Sequence, residues 1–468
     1  MASVVLYAAI ATSLAIVAAH FGLLPRGAWV ADEYGIFAHF REDGLSYIWF
    51  RFWSWSPRPL SELAIAAYAW AVTLTGRPLI VPVLSIYWLA LIAAAYPAFR
   101  GIRPDQVPFR LLGASAMLAF LLLGRQVFSM YYWPIGAVAY MPLAAAALFV
   151  LFTLAGGPTP GTPGSGATAI VLTAAAWSSE AGALFATIVT LFLAAHALAA
   201  RENPSAWRAL AIPLAAALPV LWMIATNGRS RMERPEGVDP EMYGLLLPSL
   251  RAATPAFVVE LLVFDDGPLS LRNVSKGVLL KLACFVGMHL CWADGGPDAR
   301  SKRKYLPIFA LATIATSFAM LVGSFRQFGG PCCEQHAQAR GNLAFVAVAA
   351  LAIWMPPILR LAPRWRRISA PAILAAALIF AGKPRLGDLA TAYRHYGEPD
   401  LARDMTWASA ASPGTGMVLF FPAPDTVFKV YMPNGTFRAQ DHWLAPGILA
   451  YFGKETVTVR IAIRHGEW

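Results

Sequence analysis

The sequence is short of charge. Of its 468 residues only 13% are Asp, Glu, Lys or Arg, against roughly 25% in a soluble globular chain. That scarcity excludes an ordinary water-soluble domain. In its place stand 58% hydrophobic residues and a mean hydropathy of +0.55. Cysteine is scarce as well. Cys284, Cys291, Cys332 and Cys333 are too few for a disulfide scaffold and lack the separated C-x-x-C pairs of a structural zinc site. The amino end has no basic stretch ahead of its apolar run and no A-x-A cleavage signal, so residues 2–24 are expected as a retained span. No basic run is interleaved with aromatics, which excludes nucleic acid as a partner. The net charge of +11 then reads as topology signal and affinity for lipid headgroups. There is no internal repeat of fixed period and no inverted pair of Gly/Pro-broken spans.

What the chain has is long apolar runs. A span needs roughly 20 apolar residues. Candidates are 2–24, 78–98, 109–125, 135–156, 181–200, 209–226, 273–293, 305–323, 343–360 and 368–383. Residues 168–177 form a shorter piece that meets 181–200 at Ser178-Ser179-Glu180. Two short helices joined at that polar tip bring the total to about eleven spans by the length rule. The fold class is therefore an all-α polytopic membrane protein.

Leu60–Leu74 is the ambiguous stretch. It follows Pro57 and Pro59 and is broken from the next helix by Gly76-Arg77-Pro78. Basic clusters lie at Arg100/Arg103/Arg110, Arg201/Arg208, Arg300/Lys302/Arg303/Lys304 and Arg360/Arg364/Arg366/Arg367. All fall on one side if 60–74 lies on the membrane as an interfacial helix and does not cross it. With those loops cytoplasmic, 25–77, 126–134, 178–180, 227–272, 324–342 and the tail after 383 share the opposite face. The Gly-, Pro- and Thr-rich run 156–166 is a flexible cytoplasmic linker. The division expected is a membrane module over 1–383 and a small external α/β cap over 384–468. In the cap, Gly387–Ala411 reads as a helix, and 417–421, 426–432 and 455–463 as short strands.

Polar chemistry has few places to sit in such a chain. The densest near the amino end runs from Trp29 to Pro59, outside any strong helical pattern, and opens with Asp32-Glu33. A carboxylate there can act as general base toward an acceptor hydroxyl or hold a divalent cation on a phosphate; the plainer role is a helix cap or a solvated loop. In Trp53-Ser54-Trp55-Ser56-Pro57-Arg58-Pro59 the tryptophans are interfacial anchors. Arg58, stiffened between prolines, is either a phosphate ligand or a snorkelling cation. Arg125, with Tyr131-Tyr132-Trp133 after it, closes a span with aromatics that serve as belt residues or as sugar platforms. Glu180 sits at the tip of an apolar hairpin, where an ionisable group costs desolvation unless it works or meets water. Arg229, Arg231 and Arg234 lie where the positive-inside rule disfavours them, which points to an anionic ligand; Asp265-Asp266 follows in the same loop. Arg326 and Arg340 flank the loop holding Cys332, Cys333, Glu334 and His336, and either arginine can hold a phosphate. Vicinal cysteines there are a disulfide or two thiols.

Taken together, the acidic pair after the first span, the interfacial helix opening Pro57-Arg58-Pro59-Leu60, the hairpin Trp177-Ser178-Ser179-Glu180 and the small outer cap resemble the GT-C class of integral membrane glycosyltransferases. Within that class the chain looks most like the bacterial family with a glucosyltransferase-type domain. The run Asp441-His442-Trp443 to Ala450-Tyr451-Phe452-Gly453 is similar to the end of such proteins. The resemblance implies a polyprenyl-phosphate-linked sugar donor, a glycan or lipid acceptor, and an active site on the periplasmic face of the inner membrane. It further implies Asp32 or Glu33 as base or metal holder, and arginines on the leaving phosphate; a divalent metal is used by some members and not by others. The competing readings are a flippase or transporter of lipid-linked anions, a polysaccharide polymerase or ligase, and a non-catalytic envelope subunit.

Overall fold

The computed structural model describes residues 2–30, 32–54, 57–124, 127–156, 166–200, 208–227, 245–263, 270–293, 303–331, 333–356, 363–394, 396–422 and 432–461. The chain is a mainly helical, multi-pass membrane protein. Among the described residues seven helices are long and apolar enough to cross a bilayer. They are α1 (Ala2–Gly22), the run Ile80–Phe99 that begins with α5 (Ile80–Ala93), α7 (Pro134–Gly156), α9 (Glu180–Ala199), α12 (Leu271–Trp292), α13 (Leu306–Phe328) and α14 (Glu334–Trp354).

Among the described residues the count of about eleven is thus not reached, in two cases for reasons of length. Helix α6 (Val107–Leu121) has 15 residues and α8 (Gly166–Ser178) 13. At 1.5 Å per residue these rise only about 20 Å, against a hydrocarbon core of about 30 Å. In α10 (Ala211–Asn227) and α15 (Pro363–Arg394) the apolar stretches described are Ala211–Met223 and Arg367–Phe380.

Burial orders the bundle. The apolar window of α7 is 83% buried, that of α1 33% and that of Ile80–Phe99 39%, so α7 runs through the middle and the other two face lipid. It packs against α5, α8, α9 and α14. Large side chains such as Val4, Tyr7, Ile86, Leu89, Leu191 and Leu282 stay exposed, a surface that water would not tolerate and acyl chains cover.

The stretch between α1 and α5 is helical over 32–54, where no strong helical pattern was apparent. It holds α2 (Asp32–Asp43), α3 (Leu45–Ser54) and α4 (Pro59–Thr75). Helix α4 is fastened at two points: Arg58, before its first residue, pairs with Glu180, while Tyr68 meets Trp29 and the Pro78 carbonyl. It carries an exposed stripe of Leu63, Trp70 and Leu74 opposite buried Ser61, Glu62, Ile65 and Tyr68. The helix expected over 60–74 is thus present. Beside it, α3 exposes Leu45, Trp49, Phe50 and Trp53.

Two further stretches expected as loops are helices. The region 227–272 contains α11 (Leu246–Leu262), packed on α13. The polar run 334–342 forms the start of α14, because its side chains find partners inside the bundle. Gln338 donates to the Leu121 carbonyl and to Asn342, and Asn342 donates to the Tyr131 hydroxyl.

The division expected at residue 383 falls inside α15, which continues to Arg394. The cap proper follows as α16 (Glu398–Ala411), β1 (Gly416–Phe421), β2 (Gly435–Phe437), α17 (Ala445–Phe452) and β3 (Thr456–Ile461). The expected single helix 387–411 is thus divided between α15 and α16, with Pro399 in the first turn of the second. The sheet order is β1-β3-β2, with β1 parallel and β2 antiparallel to β3. Residues 426–431 of the expected middle strand lie outside the described residues. Hydroxyls on α16 cover the free edge of β1: Thr406 accepts from the Phe420 N–H and Ser409 from the Val418 N–H.

Candidate functional site

Adjacent residues on a helix point about 100° apart, and this separates Asp32 from Glu33. Glu33 turns inward and is fully buried. One carboxylate oxygen accepts from the Val30 N–H three residues back at 3.2 Å, the backward half of a capping box. Its other oxygen has no hydrogen-bond partner, although the Trp133 indole N–H lies beside it. Burial pushes the Glu33 carboxyl up to about 7, with Trp133 opposing and the Asp32 charge adding to the rise. Asp32 turns outward and keeps solvent access. Protein still closes round it enough to hold its carboxyl above the ordinary range, while Arg51 and Arg58 pull it down. Water reaches this carboxylate, and two guanidiniums lie near enough to act on its charge.

Each guanidinium is held. Arg51, on α3, makes a bidentate pair with Glu62 on α4, at 3.0 and 3.2 Å. Arg58 pairs with Glu180 at 2.5 Å, lies 6.0 Å from the centre of the Tyr140 ring, and has a buried Nε without a hydrogen-bond partner. Its charge is stabilised above the ordinary arginine range, chiefly by Glu180, against the cost of burial. Glu180 is in place because the α8–α9 turn is tight. Ser179 caps α9 by accepting from the Gly182 N–H at 3.0 Å. A Cβ on Gly182 would come within 1.9 Å of the Ala175 carbonyl oxygen, so only glycine fits. Ser61 bridges the same corner, donating to the carbonyls of Val138 and Ser178.

The first turns of α14 reach the same corner through Tyr140, over whose ring Arg58 lies. His336 shares a 2.9 Å hydrogen bond with Tyr140, and the Ser129 hydroxyl donates to Glu334 at 2.9 Å. Arg340 is buried and makes a bidentate pair with Glu260 of α11 at 2.7 and 2.8 Å.

The structure thus brings together Asp32, Arg58 and Glu180, and places Arg340 deeper, already bound to Glu260. It does not offer Tyr132 as a sugar platform. Tyr132 is fully buried and fastens the end of α1, donating to the His20 carbonyl and accepting from the His20 ring. Trp133 is half-buried against Glu33. Arg326 is exposed in the last turn of α13, where a cation complements the helix dipole. Arg125, Arg229, Asp265, Asp266 and Cys332 lie outside the described residues. Cys333 is disulfide-bonded, and Cys284 and Cys291 are buried thiols. Among the described residues no group of three or more His, Cys, Asp or Glu side chains gathers to hold a metal. The partners missed in the sequence are Arg51, Glu62, Tyr140 and Glu260. Only Arg51 carried a signal, as one of the charges in the run from Trp29 to Pro59.

No family profile, curated protein or solved structure matches the chain.

Proposed function

We propose that the protein is a membrane glycosyltransferase of GT-C type, moving a sugar from a polyprenyl-phosphate donor to a glycan or lipid acceptor at the periplasmic face of a bacterial inner membrane. The observation that carries the reading is the solvent-reached Asp32 carboxylate set against the held guanidiniums of Arg51 and Arg58. The helices that hold these arginines, α3 and α4, expose Trp49, Phe50, Trp53, Leu63 and Trp70, an apolar surface suited to a lipid-linked substrate.

In the reaction the acceptor hydroxyl gives its proton to Asp32 as its oxygen bonds to the anomeric carbon. The bond from that carbon to the donor phosphate breaks, and the phosphate leaves with the electron pair. Arg58, oriented by Glu180, neutralises the charge that grows on it. Glu33 takes no part in bond making; it holds the start of α2 and so the direction of Asp32.

The test is transfer of a radiolabelled sugar from polyprenyl phosphate by purified protein in nanodiscs. Asp32→Asn is expected to lower the rate by about 10²–10⁴-fold, the usual worth of a general base. Full activity in that variant would overturn the assignment.

A further inference from the structure

A concavity lies away from the carboxylates. Between the α4–α5 turn and α16 there is a cavity of about 660 Å³, within the range that ligand sites occupy. Its polar lining is Arg77, Asp400, Arg403 and Asp404, and its aromatic wall is Trp407. Trp407 packs edge-on against Phe452, with ring centroids 5.1 Å apart, and against Trp29 at 5.8 Å, while part of its surface stays open to the cavity. Arg403 is paired with Asp400, and Arg77 and Asp404 are exposed at the rim. Leu79, in the opposite wall, has a left-handed backbone at φ 43°, a conformation that a branched residue keeps only where its surroundings impose it.

We infer that this groove binds a neutral oligosaccharide, the distal part of a polymeric acceptor; in its role, though not its chemistry, the inference rests on the transferase reading. Two features favour a sugar. An indole beside paired carboxylates and guanidiniums offers an apolar face for C–H groups and both donors and acceptors for hydroxyls. The polar lining also sums to no net charge, two arginines against two aspartates. An anionic headgroup would meet Asp400 and Asp404 as well as the cations, whereas an uncharged polyol meets no such opposition.

The groove also specifies length. Tyr34 contacts Trp407, with ring centroids 6.5 Å apart, and stands two residues after Asp32 on α2. Two residues turn the helix by about 200°, so the groove and Asp32 lie on opposite sides of α2. A single sugar cannot occupy both places. A chain of several can wrap from one to the other.

The experiment measures binding of full-length protein in nanodiscs to an array of neutral hexose oligosaccharides of increasing length, with phosphatidylglycerol vesicles as the competing probe. Binding of the longer neutral glycans, weakened at least tenfold by Trp407→Ala and by the rim substitution Asp404→Asn, is the expected result. The rim variant keeps the test valid if Trp407→Ala fails to fold. Absence of glycan binding, or binding that neither variant weakens, overturns the inference, as does displacement by the anionic vesicles. Sugar transfer measured on the same preparation separates the two readings. Glycan binding without transfer sinks the transferase reading alone, and transfer without glycan binding sinks the groove alone.

Discussion

Neighbouring carboxylates came to opposite ends by facing opposite ways, and pH separates them experimentally. Glu33 holds its proton more tightly folded than unfolded, its carboxyl moving from 4.5 up to about 7. The stability it lends is therefore complete below the unfolded value and drains away as pH rises toward 7. Each pH unit of displacement is worth roughly 1.4 kcal/mol, so the full effect is on the order of 3 kcal/mol. The apparent melting temperature of the purified protein should fall from about pH 5 to about pH 8, and Glu33→Gln should flatten that fall. Asp32 must be ionised to accept a proton, so the acid limb of its rate profile should lie above the ordinary Asp value near 3.9. Arg58→Gln removes a charge that lowers Asp32. It should shift the limb to higher pH and raise the KM for donor, both read from initial rates across pH.

At the scale of elements, the clasp between α3 and α4 does the most work for its size. Arg51 and Glu62 are both largely buried, and each leaves an uncompensated charge if the other goes. Arg51→Met should cost about 3–5 kcal/mol, seen as faster hydrogen exchange in α3. The tight turn before α9 is equally demanding: Gly182→Ala should push Glu180 off Arg58 and lower transfer without removing any charged group. Legibility divides along the same lines. Long spans such as α7 and α13 were readable because hydropathy accumulates over some 20 residues and needs no knowledge of neighbours. Asp32, Arg58 and Glu180 were conspicuous for the same reason, as charges beside apolar runs. The helical start of α14 was not readable, since Gln338, Arg340 and Asn342 are satisfied by Leu121, Glu260 and Tyr131 from remote segments. Tyr132 misled because a tyrosine after a span looks the same whether it meets lipid, sugar or His20.

Across the whole molecule, the cap is joined to the first interhelical region by a cluster of rings. Trp29 meets Tyr34, Phe37, Trp407 and Tyr451 within 6 Å, and Arg41 stacks 4.0 Å over Tyr451. Trp29→Ala should cost about 3–5 kcal/mol and release the cap to limited proteolysis while the spans stay protected. The second attachment is α15, a single helix of 32 residues, about 48 Å long at 1.5 Å per residue. Near its far end Ala392 accepts from the fully buried Arg26 and Tyr393 donates to the Ala19 carbonyl, so it is pinned to the end of α1. One unbroken rod therefore runs from the acyl chains to the wall that carries the cap. Any displacement of the rod within the bundle is therefore handed on toward the cap, with no break in the helix to absorb it.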